Sequence, residues 1–315
     1  MNRRDPLLPA SILALALICA IAFFLLGRRA ERPTAPPPDR GRSGVATIEF
    51  LDVGQGDAIL IRSPEGKAAL VDAGPGPGRG VVAMLRDRGV VGLDLVVISH
   101  HHADHYGGMA EVVRAFPPRV FLDAGSAHAT SRYVALLQLI KDRGITAIRS
   151  GDAARTIELG SVRLTVLPQP PEDTKEENNN SVGLRVTYGG FSALLTGDSQ
   201  GRERRWWSRA VPGLCADVAV LKLAHHGSKN GTDAAWLRLT GPGLAVASLG
   251  LDNEYGHPHR ETLDALQSLG IPLERTDQSG TIVVTTDGQD WSLDRSTSES
   301  AYAKQKPGWR IRKPR

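Results

Sequence analysis

The sequence has few cysteines, which small secreted proteins need for disulfides and thiolate metal sites need for ligands. It contains two cysteines in 315 residues, Cys19 in an apolar segment and Cys215 far along the chain. This pair argues against an intrachain disulfide and excludes a cluster of thiolate ligands. Aromatic residues make up only 5 % of the chain, whereas glycine occurs 34 times and apolar residues reach 41 %. Such a composition is typical of a compact α/β protein rich in turns.

Long apolar runs are equally scarce. Residues 7–27 form an uncharged run of 21, which is long enough to cross a bilayer as a helix. Arg3 and Arg4 precede it, and Arg28 and Arg29 follow it. The exit lacks the small residues of a cleavage site, so the run predicts an uncleaved single-pass anchor. The very short N-terminal arm favours an inside N-terminus, which places the folded part outside the cytoplasmic membrane.

The rest of the chain divides into three parts by composition. Residues 28–44 are rich in arginine, proline and glycine, which is typical of a semi-extended linker. Residues 45–295 carry the patterns of a folded domain. Residues 296–315 form a tail whose last fifteen residues include six basic side chains and no acid. We expect this tail to be disordered and solubilising, or weakly attracted to polyanions.

Apolar runs and helical periodicity alternate through the domain. Two strand-rich halves with helices between them predict an α/β fold of two packed sheets with helices on both outer faces. Helices are expected near 78–88, 106–115 and 129–142. The predicted strands are 47–51, 58–62, 68–72, 94–99, 119–123, 154–158, 161–167, 181–188, 191–196, 281–285 and 290–294.

Metal-ligating side chains are concentrated directly after the strand at 94–99, in the pattern His100-x-His102-x-Asp104-His105. Imidazole and carboxylate are the ligands that zinc and manganese prefer. At the end of a strand, His100 and His102 would project toward one metal and Asp104 with His105 toward its neighbour. A solvated histidine-rich turn is the alternative, which the ligand spacing disfavours.

Three further polar groups also follow apolar strands. Asp198 can bridge two cations, or it can cap the helix that begins near Ser199. His225 and His226 can be ligands, or they can be surface residues of a turn. The two histidines in residues 254–259 can belong to the site, or they can lie in a structural loop held by proline and glycine. Because strand ends of an α/β sheet gather into one cleft, we expect these groups to converge.

The order of the histidine motif, Gly197-Asp198 and His225 resembles the metallo-β-lactamase fold hydrolases. Further stretches are similar to the hydrolase domain of the ComEC-type competence (DNA uptake) proteins, across residues 46–294. These stretches are 50–57 (FLDVGQGD), 71–74 (VDAG), 179–181 (NNS), 221–228 (LKLAHHGS), 255–258 (YGHP) and 275–277 (RTD). The resemblance implies a four-layer αβ/βα sandwich, a metal-dependent hydrolase site at its edge, and degradation of a DNA strand during uptake.

The sequence departs from the general family pattern at one ligand. No histidine occurs between His128 and His225, and the region of Asn180 and Ser181 stands in its place, similar to the competence branch. This leaves the metal held by His100 and His102 short of one ligand, which water or an asparagine oxygen would supply. A chain with one candidate span cannot form the membrane channel of the competence proteins by itself.

The resemblance implies a role for each side chain around two divalent ions, Zn²⁺ or Mn²⁺, that activate a shared water. Asp198 would bridge the ions, and Asp72 would orient a ligand imidazole. The expected ligands are His100 and His102 for one ion and Asp104, His105 and His225 for the other.

Further residues are expected to act on the substrate. We expect Asp104 to be a catalytic residue in addition to a metal ligand. Lys222 and His226 would stabilise negative charge on a phosphoryl oxygen, and His257 would donate a proton to the leaving oxygen. The alternatives are that Lys222 faces solvent, that His226 supports a ligand without binding the metal, and that His257 is an ordinary loop residue.

Residues 202–209 alternate basic and aromatic side chains on a predicted helix. The tryptophans can stack bases, or they can pack into the core while the arginines remain in water. Taken together, the sequence predicts a membrane-anchored metal-dependent hydrolase of the competence-protein type, and the resemblance implies a phosphodiesterase or nuclease that acts on single-stranded DNA. The alternatives are a hydrolase of a smaller ester, amide or phosphodiester, and a metal-stabilised binding domain without turnover in a DNA-uptake assembly.

Overall fold

The computed structural model describes residues 44–76, 80–126, 130–173 and 175–295. The predicted anchor at 7–27, the linker up to residue 43 and the tail at 296–315 lie outside the described residues. Within the described ranges, every helix is too short or too polar to cross a bilayer.

One sheet has eight strands in the order β15-β14-β1-β2-β3-β4-β5-β6. Neighbours from β3 to β6 run parallel, and the other neighbours run antiparallel. The strands are β1 (Ala46–Phe50), β2 (Ile59–Arg62), β3 (Ala68–Val71), β4 (Leu95–Val97), β5 (Val120–Asp123), β6 (Thr146–Arg149), β14 (Ile282–Thr286) and β15 (Trp291–Arg295).

The other sheet has seven strands in the order β13-β12-β11-β10-β9-β8-β7. Neighbours from β10 to β13 run parallel, and the rest run antiparallel. The strands are β7 (Arg155–Leu159), β8 (Val162–Val166), β9 (Leu184–Tyr188), β10 (Phe191–Leu195), β11 (Val220–Lys222), β12 (Leu244–Ala247) and β13 (Leu273–Arg275).

Short helices connect the parallel strands, as parallel pairing requires a crossover, and the last helix connects β13 of one sheet to β14 of the other. They are α1 (Val81–Asp87), α2 (Ala103–Tyr106), α3 (Met109–Ala115), α4 (Ser131–Asp142), α5 (Gly201–Ala210), α6 (Pro212–Cys215), α7 (Ala234–Thr240), α8 (Arg260–Ser268) and α9 (Thr276–Ser279). Two 3₁₀ turns lie at Glu177–Asn180 and Ala224–Gly227.

Three apolar clusters define four layers. The first cluster joins alternate side chains of both sheets, such as Ile48 and Val186, and forms the layer between them. The second packs the outer face of the eight-stranded sheet against α1, α3 and α4, for example through Leu85. The third packs the seven-stranded sheet against α5 to α8 around Trp207. The predicted α/β fold of two sheets with helices on both outer faces is confirmed.

The predicted helix at 106–115 is divided in the structure. Only Tyr106 falls in α2, the rest of the predicted helix corresponds to α3, and Gly107 and Gly108 lie between the two helices. A Cβ atom on Gly107 would lie 2.3 Å from the Pro75 carbonyl oxygen, so the chain after β3 packs directly against this glycine. The division leaves α2 as a single turn that carries Asp104 and His105 at the end of the histidine loop.

Candidate metal centre

The carboxylate of Asp72 positions the loop that follows β4. Asp72 directly follows β3, and its Oδ1 accepts a hydrogen bond from the Ser99 backbone N–H (2.8 Å). Its Oδ2 accepts from Ser99 Oγ (2.7 Å) and from His105 Nδ1 (2.8 Å). Because Nδ1 of His105 donates to a carboxylate, Nε2 is the nitrogen that remains for a metal. The predicted role of Asp72, orienting an imidazole, matches this geometry.

Four side chains from both sheets converge at the sheet edges. They are Asp104, His105, Asp198 and His226, whose candidate ligand atoms all lie within 4.8 Å of one another. Asp198 Oδ2 lies 3.3 Å from Nε2 of both His105 and His226. Asp104 Oδ2 lies 3.3 Å from His226 Nε2 and 3.7 Å from His105 Nε2. Two carboxylates and two imidazoles are a donor set suited to Zn²⁺ or Mn²⁺.

The structure distinguishes the two histidines that follow β11. His226 Nδ1 donates to the Ser248 carbonyl oxygen (2.8 Å), so its Nε2 faces the carboxylates of Asp104 and Asp198. His225 is the predicted ligand, yet its Nε2 lies 3.9 Å from Asp198 Oδ2 and its Nδ1 has no hydrogen-bond partner among the described residues. Both residues have positive φ, 51° and 55°, which turns the chain sharply enough to point the rings apart.

His100 and His102 form a second, smaller group beside the first. His100 Nε2 lies 3.0 Å from His102 Nδ1 and 4.0 Å from Asp198 Oδ2. His100 is fully buried, whereas His102 is partly exposed. Since Asp198 faces both groups, the predicted bridging position is compatible with its geometry.

Buried polar atoms without partners test whether a divalent cation fits the first group. Within the described part of the chain, His105 Nε2, His226 Nε2 and Asp198 Oδ1 are buried and make no hydrogen bond, although each lies within 3.5 Å of an oppositely charged group. A buried polar atom left unpaired is costly, and a metal ion is one of the partners that removes the cost. The residues present therefore fit a cation held by Asp104, His105, Asp198 and His226.

Opposite charges dominate the electrostatics of this group. Burial alone would lower the pKa of His226, but the carboxylates of Asp198, Asp104 and Asp57 outweigh it and raise the pKa to about 10. Burial would likewise lower the pKa of His105. The carboxylates of Asp198, Asp104 and Asp72 outweigh burial, so this pKa lies well above its usual value. Burial would raise the pKa of Asp198, yet His226, His105 and Lys222 hold it well below its usual range.

Lys222 lies behind the metal-ligating atoms. Its Nζ is fully buried, pairs with Asp57 Oδ2, donates to the Gly197 carbonyl oxygen (3.1 Å) and lies 3.5 Å from Asp198 Oδ1. Burial lowers the pKa of Lys222, but Asp57 and Asp198 more than compensate and raise it, so the ammonium balances these two carboxylates.

Asp57 is the residue that sequence reasoning missed. It is 1 % exposed and lies 3.7 Å from His105 Nδ1 and 3.6 Å from His226 Nδ1, in addition to its ion pair with Lys222. The sequence signal was available, because Asp57 ends the glycine-flanked stretch at 50–57 that carried part of the family resemblance.

The asparagine-rich turn contacts the site through Ser181. Ser181 Oγ accepts from the Asp198 backbone N–H (3.2 Å), and Ser181 N–H donates to Glu203 Oε2 (3.2 Å). Asn180 instead bonds to its own loop, with its Oδ1 accepting from the Asp173 N–H (2.7 Å). Asn178 Oδ1 is buried and has no hydrogen-bond partner among the described residues.

His257 lies beside the two histidines that follow β11. It is 7 % exposed, and its ring centroid lies 5.4 Å from that of His225 and 6.1 Å from that of His226. Burial and the charges of the neighbouring histidines lower the pKa of His257 to about 4. Its Nδ1 is buried without a hydrogen-bond partner in the described ranges.

The helix predicted at 202–209 corresponds to α5, and it packs its central tryptophan inward. Trp207 is fully buried, and its Nε1 donates to the Pro168 carbonyl oxygen (2.8 Å). Trp206 is partly buried against the same apolar cluster. This geometry agrees with the core interpretation of the tryptophans.

The fold and the donor set define the class: an α/β sandwich whose two sheets present a candidate metal centre at their common edge. The model of the Metallo-beta-lactamase superfamily matches residues 51–250, and the chain belongs to that family. The predicted family is thereby confirmed, and the chain is a metal-dependent hydrolase of this superfamily, related to competence proteins.

Curated relatives include ComE operon protein 3 of Bacillus subtilis, 28 % identical over 76 % of this chain and 33 % of that protein. Competence protein ComA of Neisseria gonorrhoeae is 28 % identical over 87 % of this chain and 38 % of that protein. Recombination protein 2 of Haemophilus influenzae is 27 % identical over 75 % and 28 %. The chain thus spans about a third of the length of these relatives.

Solved structures show the same fold. The metallo-beta-lactamase fold protein YhfI from Bacillus subtilis matches 78 % of this chain and all of that chain, with a TM-score of 0.55 and 15 % identity. The diiron β-hydroxylase CmlA from Streptomyces venezuelae matches 81 % of this chain and 57 % of that chain, with a TM-score of 0.51 and 15 % identity.

Proposed function

We propose that this protein is a metal-dependent phosphodiesterase that cleaves single-stranded DNA. The observation that carries the proposal is the convergence of Asp104, His105, Asp198 and His226, in a chain related over most of its length to competence proteins. The donor set supports a hydrolytic site, and the relatives support DNA as the polymer that reaches it.

Two divalent ions, Zn²⁺ or Mn²⁺, would supply Lewis-acid activation of water and of the phosphoryl group. Asp104, His105, Asp198 and His226 would hold one ion, and His100 with His102 would hold the other beside Asp198. We assign His226, rather than His225, to the first ion because its Nε2 faces both carboxylates and its Nδ1 is anchored on Ser248. His225 would then flank the site.

The remaining residues keep these groups in the correct protonation state and orientation. Asp72 and the Ser248 carbonyl accept hydrogen bonds from Nδ1 of His105 and His226, which keeps each Nε2 directed toward the carboxylates, where a bound cation would replace the Nε2 proton. Lys222 balances the charge of Asp198, so we place it behind the reaction rather than on the phosphate. Because the pKa of His257 is lowered to about 4, its ring is neutral near pH 7, so we place His257 beside the site rather than as the acid that protonates the leaving oxygen.

The proposed setting is the outer face of the cytoplasmic membrane. The apolar run at 7–27 and the flanking arginines support a single-pass anchor that would hold the hydrolase domain next to a DNA-uptake assembly. A C-terminal reporter fusion tests sidedness, and a reporter active only in the cytoplasm would contradict this placement.

A cleavage assay tests the activity directly. The full chain, purified in detergent and supplied with Mn²⁺ or Zn²⁺, should cleave a labelled single-stranded oligonucleotide, and Asp198→Asn should not. A matched Asp94→Asn variant, altered at a carboxylate that pairs with Lys67 away from the site, should retain activity. Absence of cleavage with either metal would contradict the nuclease proposal. Metal retention without turnover would favour a binding domain, and cleavage of small phosphodiesters alone would favour a small-molecule hydrolase.

A further inference from the structure

The loop that follows β12 presents an aromatic ring to solvent beside the metal centre. Tyr255 is 64 % exposed and has the most exposed aromatic side chain in the described part of the chain. Its ring stacks on that of His257, with centroids 5.7 Å apart and planes inclined by 20°. His257 in turn lies next to His225 and His226, so Tyr255 is one ring further out from the centre.

Hydrogen bonds hold this loop in one conformation. Asn253 Oδ1 accepts from the His257 N–H (2.9 Å), and its Nδ2 donates to the carbonyl oxygens of His257 (2.8 Å) and Gly250 (3.1 Å). The Gly250 N–H donates to Gln55 Oε1 (3.2 Å), which pins the loop to the segment before Asp57. An exposed ring on a braced loop loses little conformational entropy when it binds a flat partner.

Local charge indicates what that partner is. The exposed carboxylates of Asp252 and Glu254 precede Tyr255 in the same loop. A phosphate beside the ring would meet these like charges, which disfavours a contact with the backbone of a nucleic acid. The uncharged face of a nucleobase meets no such penalty, and base stacking on tyrosine is sequence-tolerant.

We propose that Tyr255 is a stacking platform for the nucleobase next to the phosphodiester held at the metal centre. This inference rests on the proposed nuclease function and specifies its substrate class, a strand with unpaired bases. A duplex keeps its bases stacked internally, so the platform would select single strands. The exposed Leu251 nearby widens the apolar surface of the same loop.

Kinetics on two matched single-stranded substrates, one with bases and one without, test the platform. The full chain with Mn²⁺ is assayed on a single-stranded oligonucleotide and on a matched oligonucleotide of abasic residues. We expect Tyr255→Ala to raise KM for the base-bearing strand by about 5- to 150-fold with little change in kcat, the range that base–aromatic stacking supplies. Tyr255→Phe keeps the ring and should retain the wild-type KM. On the abasic strand, wild type and Tyr255→Ala should have the same KM.

Trp291→Ala is the matched control, because Trp291 is exposed (37 %) beside Gly243, at the strand ends opposite the metal centre. It should leave both KM values unchanged. An unchanged KM for Tyr255→Ala on base-bearing DNA, or an equal rise on abasic DNA, would overturn the proposal and favour a protein partner for this loop.

Failure of the proposed nuclease function is recognised separately, as absence of cleavage by the wild type. The platform is then judged by fluorescence anisotropy with the same two oligonucleotides. Weaker binding of the base-bearing strand by Tyr255→Ala supports the platform, and equal binding by wild type and variant refutes it.

Discussion

The ring nitrogens of His105 and His226 determine what the cluster can bind. Each ring donates a hydrogen bond from Nδ1 to an oxygen that can only accept. The acceptor is Asp72 Oδ2 for His105 and the Ser248 carbonyl oxygen for His226. Each Nε2 is thereby fixed toward Asp198. A histidine held in this way is an effective metal ligand, since its tautomer and orientation are set before the ion arrives.

Alanine variants of the two adjacent histidines separate ligand from neighbour. His226→Ala should weaken Zn²⁺ affinity by at least ~100-fold, because losing even a supporting partner of a ligand costs ~10- to 100-fold. His225→Ala, which removes a ring 3.9 Å from Asp198, should have a smaller effect. Competition with a chromogenic chelator measures both. A larger loss in His225→Ala would contradict the assignment of His226.

Glu203 gives a pH dependence of stability that does not involve the metal ligands. It is fully buried, one carboxyl oxygen has no hydrogen-bond partner in the described ranges, and burial holds its pKa well above 4.5. The folded state therefore keeps a proton that the unfolded state releases above about pH 4.5, and the wild type loses stability as pH rises from there toward the raised pKa. Glu203→Gln has no such proton.

Urea unfolding of the metal-free protein at several pH values checks this effect. The stability of Glu203→Gln relative to the wild type should increase from pH 4 to pH 8. Glu274→Gln is the control, because the pKa of Glu274 is lowered by hydrogen bonds from Arg295, and this variant should lose relative stability over the same range. A difference between wild type and Glu203→Gln that does not change with pH would show that Glu203 ionises normally in the folded protein.

At the scale of elements, the turn between β1 and β2 presses against the histidine loop. The Asp57 N–H donates to the Asp104 carbonyl oxygen (3.2 Å). Gly56 has φ of +132°, and a Cβ atom there would lie 2.2 Å from the same oxygen. The glycine is therefore required by both its backbone conformation and the close approach to Asp104.

Gly56→Ala should displace Asp104 and lower both metal affinity and melting temperature. Gly66→Ala is the matched control, since Gly66 also has a positive φ, +79°, but no atom lies within 4 Å of the added Cβ. It should lower the melting temperature while leaving metal affinity intact. Equal metal affinity in the two variants would refute the coupling between the turn and the site.

The tryptophan of α5 should contribute to stability rather than to DNA binding. Trp207→Ala removes a fully buried ring and its bond to Pro168, so the free energy of unfolding should fall by about 3–5 kcal/mol. Trp206→Ala, at a partly buried position, should cost less. A Trp207→Ala protein with wild-type stability but weaker DNA binding would restore the base-stacking interpretation of this helix.

Element positions were predictable where the chain itself carries the signal. The strands that end at Asp72, at Ser99 and before Asp198 are apolar runs followed at once by polar groups, and those groups do converge. The close approach of Gly107 to the Pro75 carbonyl was not predictable, because the two residues are thirty-two positions apart in sequence. The different orientations of His225 and His226 were not predictable either. They follow from positive φ at both residues, which two adjacent histidines in the sequence do not indicate.

At the scale of the whole molecule, the centre joins the two sheets. The eight-stranded sheet supplies Asp72, Asp104 and His105, and the seven-stranded sheet supplies Asp198 and His226. A bound ion therefore links both halves of the sandwich and should stabilise them together. At a free concentration of ~100 times Kd, one ion contributes about 2.7 kcal/mol to the free energy of unfolding.

Metal content per chain tests the central claim that this edge is a metal centre. The full chain is stripped with a chelator, reloaded with Zn²⁺ or Mn²⁺, desalted and measured by inductively coupled plasma mass spectrometry beside Asp198→Ala. The account predicts that the wild type retains between one and two ions per chain and that Asp198→Ala retains far less. A wild type that retains no ion with either metal, or a variant that retains as much, would contradict it.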